Sequence, residues 1–199
     1  NSRDVRYIDC RAISGERIMG KLYTQLTDEL AGFIQRQKLF FVGTAADDGR
    51  VNVSPKGMDT LRVVTEDRVV WLNLTGSSNE TAAHLRENNR ITLMFCAFEG
   101  DPLILRLYGH ARIFHPHDTE WDSLITFFPA IPGARQIIDM SVDLVQTSCG
   151  FGVPFFEFKA ERDQLEKWAE KKGPEGIRQY WEEKNRISLD GKPTGIVAE

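Results

Sequence analysis

The segment KLFFVGTAADDGRVNVSPKG, Lys38–Gly57, contains two β-rich runs on either side of Asp47-Asp48-Gly49. Asp-Gly between alternating apolar residues is a strong local signal for a β-hairpin. Pro55 has no N–H to donate, so the second run is predicted to lie at a sheet edge or to lose its pairing there. Alternation divides this run into two faces, with Val51 and Val53 on one and Asn52, Ser54 and Lys56 on the other.

Further strands follow this hairpin. LRVVTEDRVVWLNL (61–74) predicts two strands around a turn, and ITLMFCAF (91–98) is a continuous apolar run that predicts a strand buried on both faces. LILRLYGHARIF (103–114) alternates between an apolar and a polar face, and one more strand is predicted near 140–147. Strands joined by short turns favour an antiparallel barrel or sandwich over βαβ units.

Helices are predicted at four places around these strands. Thr27 can cap a helix over 28–37, and a second helix is predicted over 79–88. The spacing of Trp121, Leu124, Ile125 and Phe128 predicts a third, which Pro129 ends. The C-terminal part, from about residue 160, is helical by the same criterion, with a break at Gly173-Pro174.

Composition limits the classes of function. The chain has 199 residues, 41% of them hydrophobic and 27% charged, which is ordinary for one globular domain. A net charge of −4 without basic clusters argues against nucleic acid or a membrane surface as a partner. The three cysteines, without C-x-x-C spacing, suggest a reducing, cytoplasmic setting. Met19 resembles a natural start, so residues 1–18 are interpreted as an N-terminal extension, native or not, and residues 19–199 as the single domain.

The stretch TGSSNETAAHLREN, Thr75–Asn88, lies between a predicted strand and a predicted helix. Hydroxyl and amide side chains are favoured at helix N-caps, but one such residue suffices for a cap. A helix start that carries several of them, with Gly76 to let the backbone turn, can instead bind a phosphate. The candidate phosphate ligands here are Ser77, Ser78, Asn79 and Thr81.

Two cations strengthen the phosphate hypothesis. Lys56 ends the polar face of an edge strand, and Arg106 lies in mid-strand on the face opposite its apolar neighbours. A phosphate requires both hydrogen-bond donors and positive charge. Taken alone, each residue is at least as well explained as a solvated surface cation. The two favour a phosphate site only because they occur together with the hydroxyl-rich helix start.

Other candidate chemistry is weaker. The chain lacks the common nucleophile, nucleotide-binding and metalloprotease motifs. His115 and His117 flank Pro116, which favours a solvated turn, and no metal site is predicted. Cys149 lies in a Gly-rich loop without a basic neighbour, so a packing role is favoured over a reactive thiol. No general acid or base is assigned.

Five ordered blocks together resemble the pyridoxamine 5′-phosphate oxidase-related family, from about Met19 to the C-terminus. They are FFVGTAADDGRVNVSPKG, WLNLTGSSNETAAHLRENNRITLMFCAF, LRLYGHARI, QTSCGFGVP and YWEEKNRISLDGKPTGI. The resemblance implies a mainly β fold with flanking helices, an antiparallel split β-barrel that binds flavin mononucleotide (FMN). It also implies a homodimer with the flavin at the subunit interface.

The resemblance extends to individual positions. Lys56, with Ser54 before it, matches a lysine at the end of the flavin-facing strand. Ser77 and Ser78 match the phosphate-binding segment. Asn73 and Leu74 match residues beside the isoalloxazine ring. Cys149, Trp181 and Asn185 fall in blocks that would line a substrate pocket. Asn79-Glu80 replaces the usual Arg-Lys after the phosphate-binding serine, which removes positive charge from the site.

The C-terminal sequence DGKPTGIVAE also lacks the Arg and Trp with which the true oxidases hold their substrate. The sequence therefore predicts an FMN-dependent oxidoreductase that acts on a different small molecule and takes electrons from a donor still to be identified. The alternatives are a non-catalytic flavin or haem carrier, a deazaflavin in place of FMN, and a dimer that has lost its cofactor.

Overall fold

A computed structural model describes residues 5–7 and 20–197 of the chain. The strands are β1 (Val5–Tyr7), β2 (Lys21–Tyr23), β3 (Phe40–Thr44), β4 (Asn52–Lys56), β5 (Leu61–Thr65), β6 (Arg68–Leu74), β7 (Arg90–Cys96), β8 (Ile104–Phe114) and β9 (Ala134–Ser148). The helices are α1 (Asp28–Arg36), α2 (Glu80–Glu87), α3 (Trp121–Leu124) with a 3₁₀ turn (Ile125–Phe127), and α4 (Gln164–Tyr180), which a π-helix (Trp181–Asn185) extends. The interpretation of 1–18 as an extension falls almost wholly outside the described residues.

All described strand pairs are antiparallel. The strand order is β1-β2-β9-β8-β7-β3-β4, and β6 pairs with both β9 and β5. Along its 15 residues β9 pairs with β2, β6 and β8, so the sheet curves around this strand. The prediction of a mainly antiparallel β fold with flanking helices is confirmed.

The opening hairpin forms as predicted, with Phe40 paired to Lys56 and Thr44 to Asn52. β4 is an edge strand of the described sheet, as Pro55 indicated. The polar and apolar faces of β4 are reversed relative to an ordinary amphipathic strand, in which the polar face is the exposed one. Val51 and Val53 are 72% and 66% exposed, whereas the polar residues face the same side of the sheet as the buried side chains of β3.

The barrel interior is filled by large apolar side chains, among them Val42, Trp71, Phe95, Leu105 and Leu107. A second apolar cluster lies on the other face of β6 and β9 and packs against α3. β7 was predicted to be buried on both faces, but its burial alternates in the single chain, because one face turns toward the barrel and the other away from it.

Two boundary predictions had different outcomes. β9 begins at Ala134 and not near residue 140, because Arg135 and Gln136 interrupt the apolar pattern although both are buried. The predicted break in the C-terminal helix is confirmed, since Gly173 has φ 66° within α4. No helix in the described part of the chain is long and apolar enough to cross a bilayer.

Gly109 is required by a close approach of two strands at an irregularity in the β8–β9 pairing. A Cβ on Gly109 would lie 1.9 Å from the backbone oxygen of Ser141, whereas the nearest atoms to a Cβ on Gly43 would be 3.8 Å away. We expect Gly109→Ala to lower the free energy of unfolding by about 1–3 kcal/mol or more in urea denaturation. Gly43→Ala is the matched control, and equal stabilities of the two variants would contradict the described register.

Candidate functional site

The loop between β6 and α2, residues 75–79, is fixed at its base. The backbone N–H and the hydroxyl of Thr75 both donate to the carbonyl oxygen of Gly133, at 2.8 Å each. Thr75 is buried, whereas Ser77 and Ser78 are exposed. The loop therefore presents two serine hydroxyls to solvent from a rigid base.

The N-terminus of α2 has no side-chain cap. Asn79 is the N-cap residue, yet its side chain makes no capping bond, and its Nδ2 instead donates to the carbonyl oxygen of Asn185 at 3.2 Å. The first N–H groups of a helix lack intrahelical acceptors and carry the positive end of the helix dipole. Because the Asn79 side chain does not cap these backbone N–H groups, they are available to donate hydrogen bonds to an anion at this position.

Arg135 lies directly behind this loop and is 2% exposed. Its Nη1 donates to the carbonyl oxygens of Ser78 at 2.9 Å and Gly76 at 3.4 Å, and to Oδ1 of Asn185 at 2.9 Å. These bonds turn loop carbonyls toward the guanidinium. Burial lowers the pKa of Arg135 to about 10, which leaves it charged at neutral pH.

Lys56 is the second cation of the site. Its Nζ lies 5.2 Å from the centre of the Trp71 ring, on the interior side of β4. Burial, and to a smaller extent the positive charge of Arg135, lower the pKa of Lys56 to about 8. Within residues 5–7 and 20–197, neither Lys56 nor Arg135 forms a salt bridge with a carboxylate.

The polar face of β4 is linked to α2 by hydrogen bonds. Ser54 donates to Asn52 Oδ1 at 3.0 Å, and Asn52 Nδ2 donates to Thr81 Oγ1 at 3.3 Å and to Thr44 Oγ1 at 3.4 Å. Because Thr81 lies in the first turn of α2, these bonds join the helix start to the beginning of β4 at Asn52, and Lys56 lies at the opposite end of the same strand.

The C-terminal segment supports the loop from behind. Trp181 Nε1 donates to Thr75 Oγ1 at 2.8 Å, and the buried Asn185 contacts Arg135, Gly76 and Asn79. Trp181 and Asn185 therefore hold the loop in place, a role that differs from the substrate contact predicted for them.

Glu80 was the residue that cast doubt on anion binding. Its Oε1 accepts a hydrogen bond from the backbone N–H of Leu189 at 3.0 Å. The carboxylate is thus held by the C-terminal segment, and its hydrogen-bonding capacity is directed away from the loop.

A buried polar chain leads away from the site. Asn73 Nδ2 donates to Gln136 Oε1 at 2.9 Å, and Gln136 Nε2 lies 3.2 Å from His115 Nε2. Asn73 Oδ1 is buried without a donor among the described residues. Leu74 faces the other way and packs on the second apolar cluster.

The prediction of a solvated turn at His115 is wrong, because His115 is only 4% exposed. Burial lowers its pKa to about 4, so the imidazole is neutral at pH 7.

Comparison with known proteins gives this geometry a context. The family model described as "Pyridoxamine 5'-phosphate oxidase" matches residues 26–149. The chain is 36% identical over 189 residues to the "Pyridoxamine 5'-phosphate oxidase family protein ustO" of Aspergillus flavus, which covers 86% of this chain and 76% of that protein. The chain belongs to the pyridoxamine 5′-phosphate oxidase family.

Similar solved structures have lower sequence identity. A crystal structure of a HupZ variant from Group A Streptococcus has a TM-score of 0.50 and 18% identity, and covers 61% of this chain and 98% of that one. The structure described as the FAD binding protein from Mycobacterium smegmatis has a TM-score of 0.45 and 12% identity, and covers 63% of this chain and 96% of that one.

Two of the predicted site residues, Arg106 and Cys149, do not join the site in the single chain. Arg106 faces outward, since its neighbours Leu105 and Leu107 fill the barrel, and its Nη1 donates to Ser148 Oγ at 3.2 Å. Cys149 follows the last residue of β9, whereas Trp181 and Asn185 contact the loop beside the first. The predicted pocket of Cys149, Trp181 and Asn185 is therefore not assembled within one chain.

Two adjoining cavities lie next to Lys56 and α1 in this member of the family. One of about 590 Å³ is lined by Pro55, Lys56 and Gly57. The larger, of about 1030 Å³, lies between α1, the β7–β8 turn and residues 156–160, and is rich in phenylalanine. Lys38, Leu39, Phe158 and Ala160 line both.

Because Lys56 has no carboxylate partner among the described residues, a direct titration of its side chain tests the site. In lysine-labelled protein, we expect the Lys56 side-chain signal, assigned by its loss in Lys56→Met, to titrate with a midpoint near 8. Because the unfolded lysine holds its proton to about pH 10.4, this residue makes the protein more stable as pH rises from about 8 to 10. Saturating inorganic phosphate should raise the midpoint, and an ordinary midpoint that phosphate does not move would contradict the site.

Proposed function

We propose that this protein is an FMN-dependent oxidoreductase, and that the phosphate of FMN binds at the N-terminus of α2 beside Lys56. The observation that carries the proposal is the pair of cations, Lys56 and Arg135, which have no carboxylate partner in the described part of the chain. Buried charges are normally paired, because an isolated charge away from water is costly. A bound dianion supplies the missing charge.

The donors around these cations fit a phosphate. Ser77 and Ser78 offer exposed hydroxyls, and the uncapped first turn of α2 offers backbone N–H groups. Lys56 would bind the phosphate directly. Arg135, whose Nη1 is bonded to loop carbonyls, would hold the loop in shape and add positive potential from behind.

Asn73 would contact the ring system of the cofactor. Its buried Oδ1 lacks a donor, and an N–H group of a bound flavin would satisfy it. Gln136 fixes the orientation of the Asn73 amide. Ser54, Asn79 and Thr81 would support the site through their hydrogen bonds, whereas Leu74 packs on the second apolar cluster and would not contact the ring.

A bound flavin ring supplies the hydride or electron transfer, and the protein supplies binding, orientation and exclusion of water. The phenylalanine-rich cavity, which shares lining residues with the smaller cavity at Lys56, is large enough for a small-molecule substrate. We assign no proton-transfer residue to the reaction.

A homodimer with the cofactor at the interface is part of this proposal. It is supported by the exposed Val53 on edge strand β4 and the exposed Val51 just before it, because edge strands with exposed apolar residues favour association. Arg106, on the outer face of the sheet, is available to a site that two copies share.

The test is the affinity for FMN, measured by quenching of flavin fluorescence. Lys56→Met should weaken binding by about 1.5–3 kcal/mol, which is tenfold or more, because a charge-assisted hydrogen bond is lost. Lys171→Met, at an exposed position on α4, removes the same charge away from the site and should leave the affinity unchanged.

Equal affinities of Lys56→Met and wild type would exclude Lys56 from the site, provided that circular dichroism shows both proteins folded. A mass spectrum of any copurified small molecule distinguishes FMN from a deazaflavin or haem. Reduction of the bound flavin by NADH or NADPH, followed by reoxidation with a candidate substrate, distinguishes an enzyme from a carrier.

A further inference from the structure

A second cluster of potential ligands lies in the turn that follows β8. One ligand atom from each of His115, His117 and Asp118 lies within 4.8 Å of the other two. His115 is buried, whereas His117 and Asp118 are partly exposed, with 39% and 34% of their side-chain surfaces accessible. The cluster is therefore open to solvent on one side and anchored in the protein on the other.

The distances within this cluster suit a shared ion better than direct hydrogen bonds. His115 Nδ1 is 3.6 Å from Asp118 Oδ2, and His117 Nε2 is 3.7 Å from Asp118 Oδ1. Both exceed the usual hydrogen-bond length of about 2.7–3.2 Å. Two ligands bound tetrahedrally to one Zn²⁺ at about 2.0–2.1 Å lie roughly 3.3–3.4 Å apart, a little less than these two separations.

Gln136 provides the support that metal-binding histidines commonly have. Its side chain contacts His115 Nε2 and is itself bonded to Asn73. If the carboxamides of Gln136 and Asn73 both rotate by 180°, their mutual hydrogen bond is kept and Gln136 Oε1 accepts from His115 Nε2–H. The lone pair of His115 Nδ1 then points to the cluster, as in ligating histidines held by an oxygen acceptor.

We propose that His115 Nδ1, His117 Nε2 and the carboxylate of Asp118 bind a divalent transition-metal ion, with Zn²⁺ the best match and water completing the coordination. Two imidazoles and one carboxylate favour Zn²⁺ over Mg²⁺ or Ca²⁺, which prefer oxygen ligands. The ion would fasten the turn after β8 to β9 through Gln136, next to Arg135 in the chain. None of the ligands of this ion is a proposed cofactor ligand, but the rotation places Asn73 Nδ2 where its Oδ1 now lies, so that Asn73 would donate a hydrogen bond to a flavin rather than accept one.

The alternative is a turn that closes without an ion, because Asp118 Oδ2 also accepts the backbone N–H of His115 at 2.7 Å. That bond uses one oxygen of the carboxylate and leaves Oδ1 free. His117 has no part in closing the turn. Stoichiometric metal binding therefore depends on His117 if the cluster binds an ion, and does not if the turn closes without one.

The experiment is a calorimetric titration of Zn²⁺ into untagged protein that has been stripped with a chelator and exchanged into metal-free buffer. We expect one ion per chain, and a visible spectrum typical of tetrahedral coordination when Co²⁺ replaces Zn²⁺. His117→Ala should weaken binding by more than about tenfold, and because this side chain is partly exposed the variant should remain folded.

His110→Ala is the matched control. His110 Nδ1 lies 2.7 Å from Asp143 Oδ2, which makes another histidine–carboxylate pair but without a second imidazole. This variant should bind Zn²⁺ like wild type. The proposal is overturned if wild type binds no more Zn²⁺ than His117→Ala, or if His110→Ala loses binding equally.

Discussion

The hydrogen bonds from Arg135 to the carbonyl oxygens of Gly76 and Ser78 organise the whole site. A loop carbonyl bonded to a buried guanidinium faces the protein, so the serine side chains of the same loop remain free for solvent or a ligand. The guanidinium also adds a positive charge that no described carboxylate neutralises. Arg135 lies on β9 and donates a hydrogen bond to Asn185. The loop that Arg135 holds begins after β6 and ends at α2.

This arrangement explains how the chain can differ from the usual family pattern at the phosphate segment. Asn79-Glu80 replaces Arg-Lys, yet Asn79 is turned toward Asn185 and Glu80 toward Leu189. One of the two positive charges lost from the loop sequence is offset by Arg135 beneath the loop. The C-terminal segment supports the loop through Trp181 and Asn185.

Local patterns in the sequence predicted the elements whose signals are local. The Thr27 cap, the hairpin around Asp47-Asp48-Gly49, the edge position of Pro55 and the break at Gly173 all depend on short-range stereochemistry, and all are confirmed. Residue types and their positions brought Lys56 and the serines together as one hypothesis, and the family resemblance then matched the same positions.

The features that were missed depend on contacts distant in sequence. Arg135 and Gln136 are polar residues in a buried strand, so no periodic pattern marks them, and only the pairing of β9 with β6 brings them behind the loop. The inward polar face of β4 follows from its register with β3. His115 is buried and contacts Gln136 of β9, a contact distant in sequence that the turn alone does not reveal.

The central claim is that the phosphate of the cofactor neutralises the cations around the α2 N-terminus. The most direct measurement compares the dissociation constants of FMN and riboflavin, which share the ring and differ in the phosphate. The account predicts that FMN binds at least about a hundredfold more tightly, from two or more charge-assisted hydrogen bonds. Equal affinities for FMN and riboflavin would contradict it.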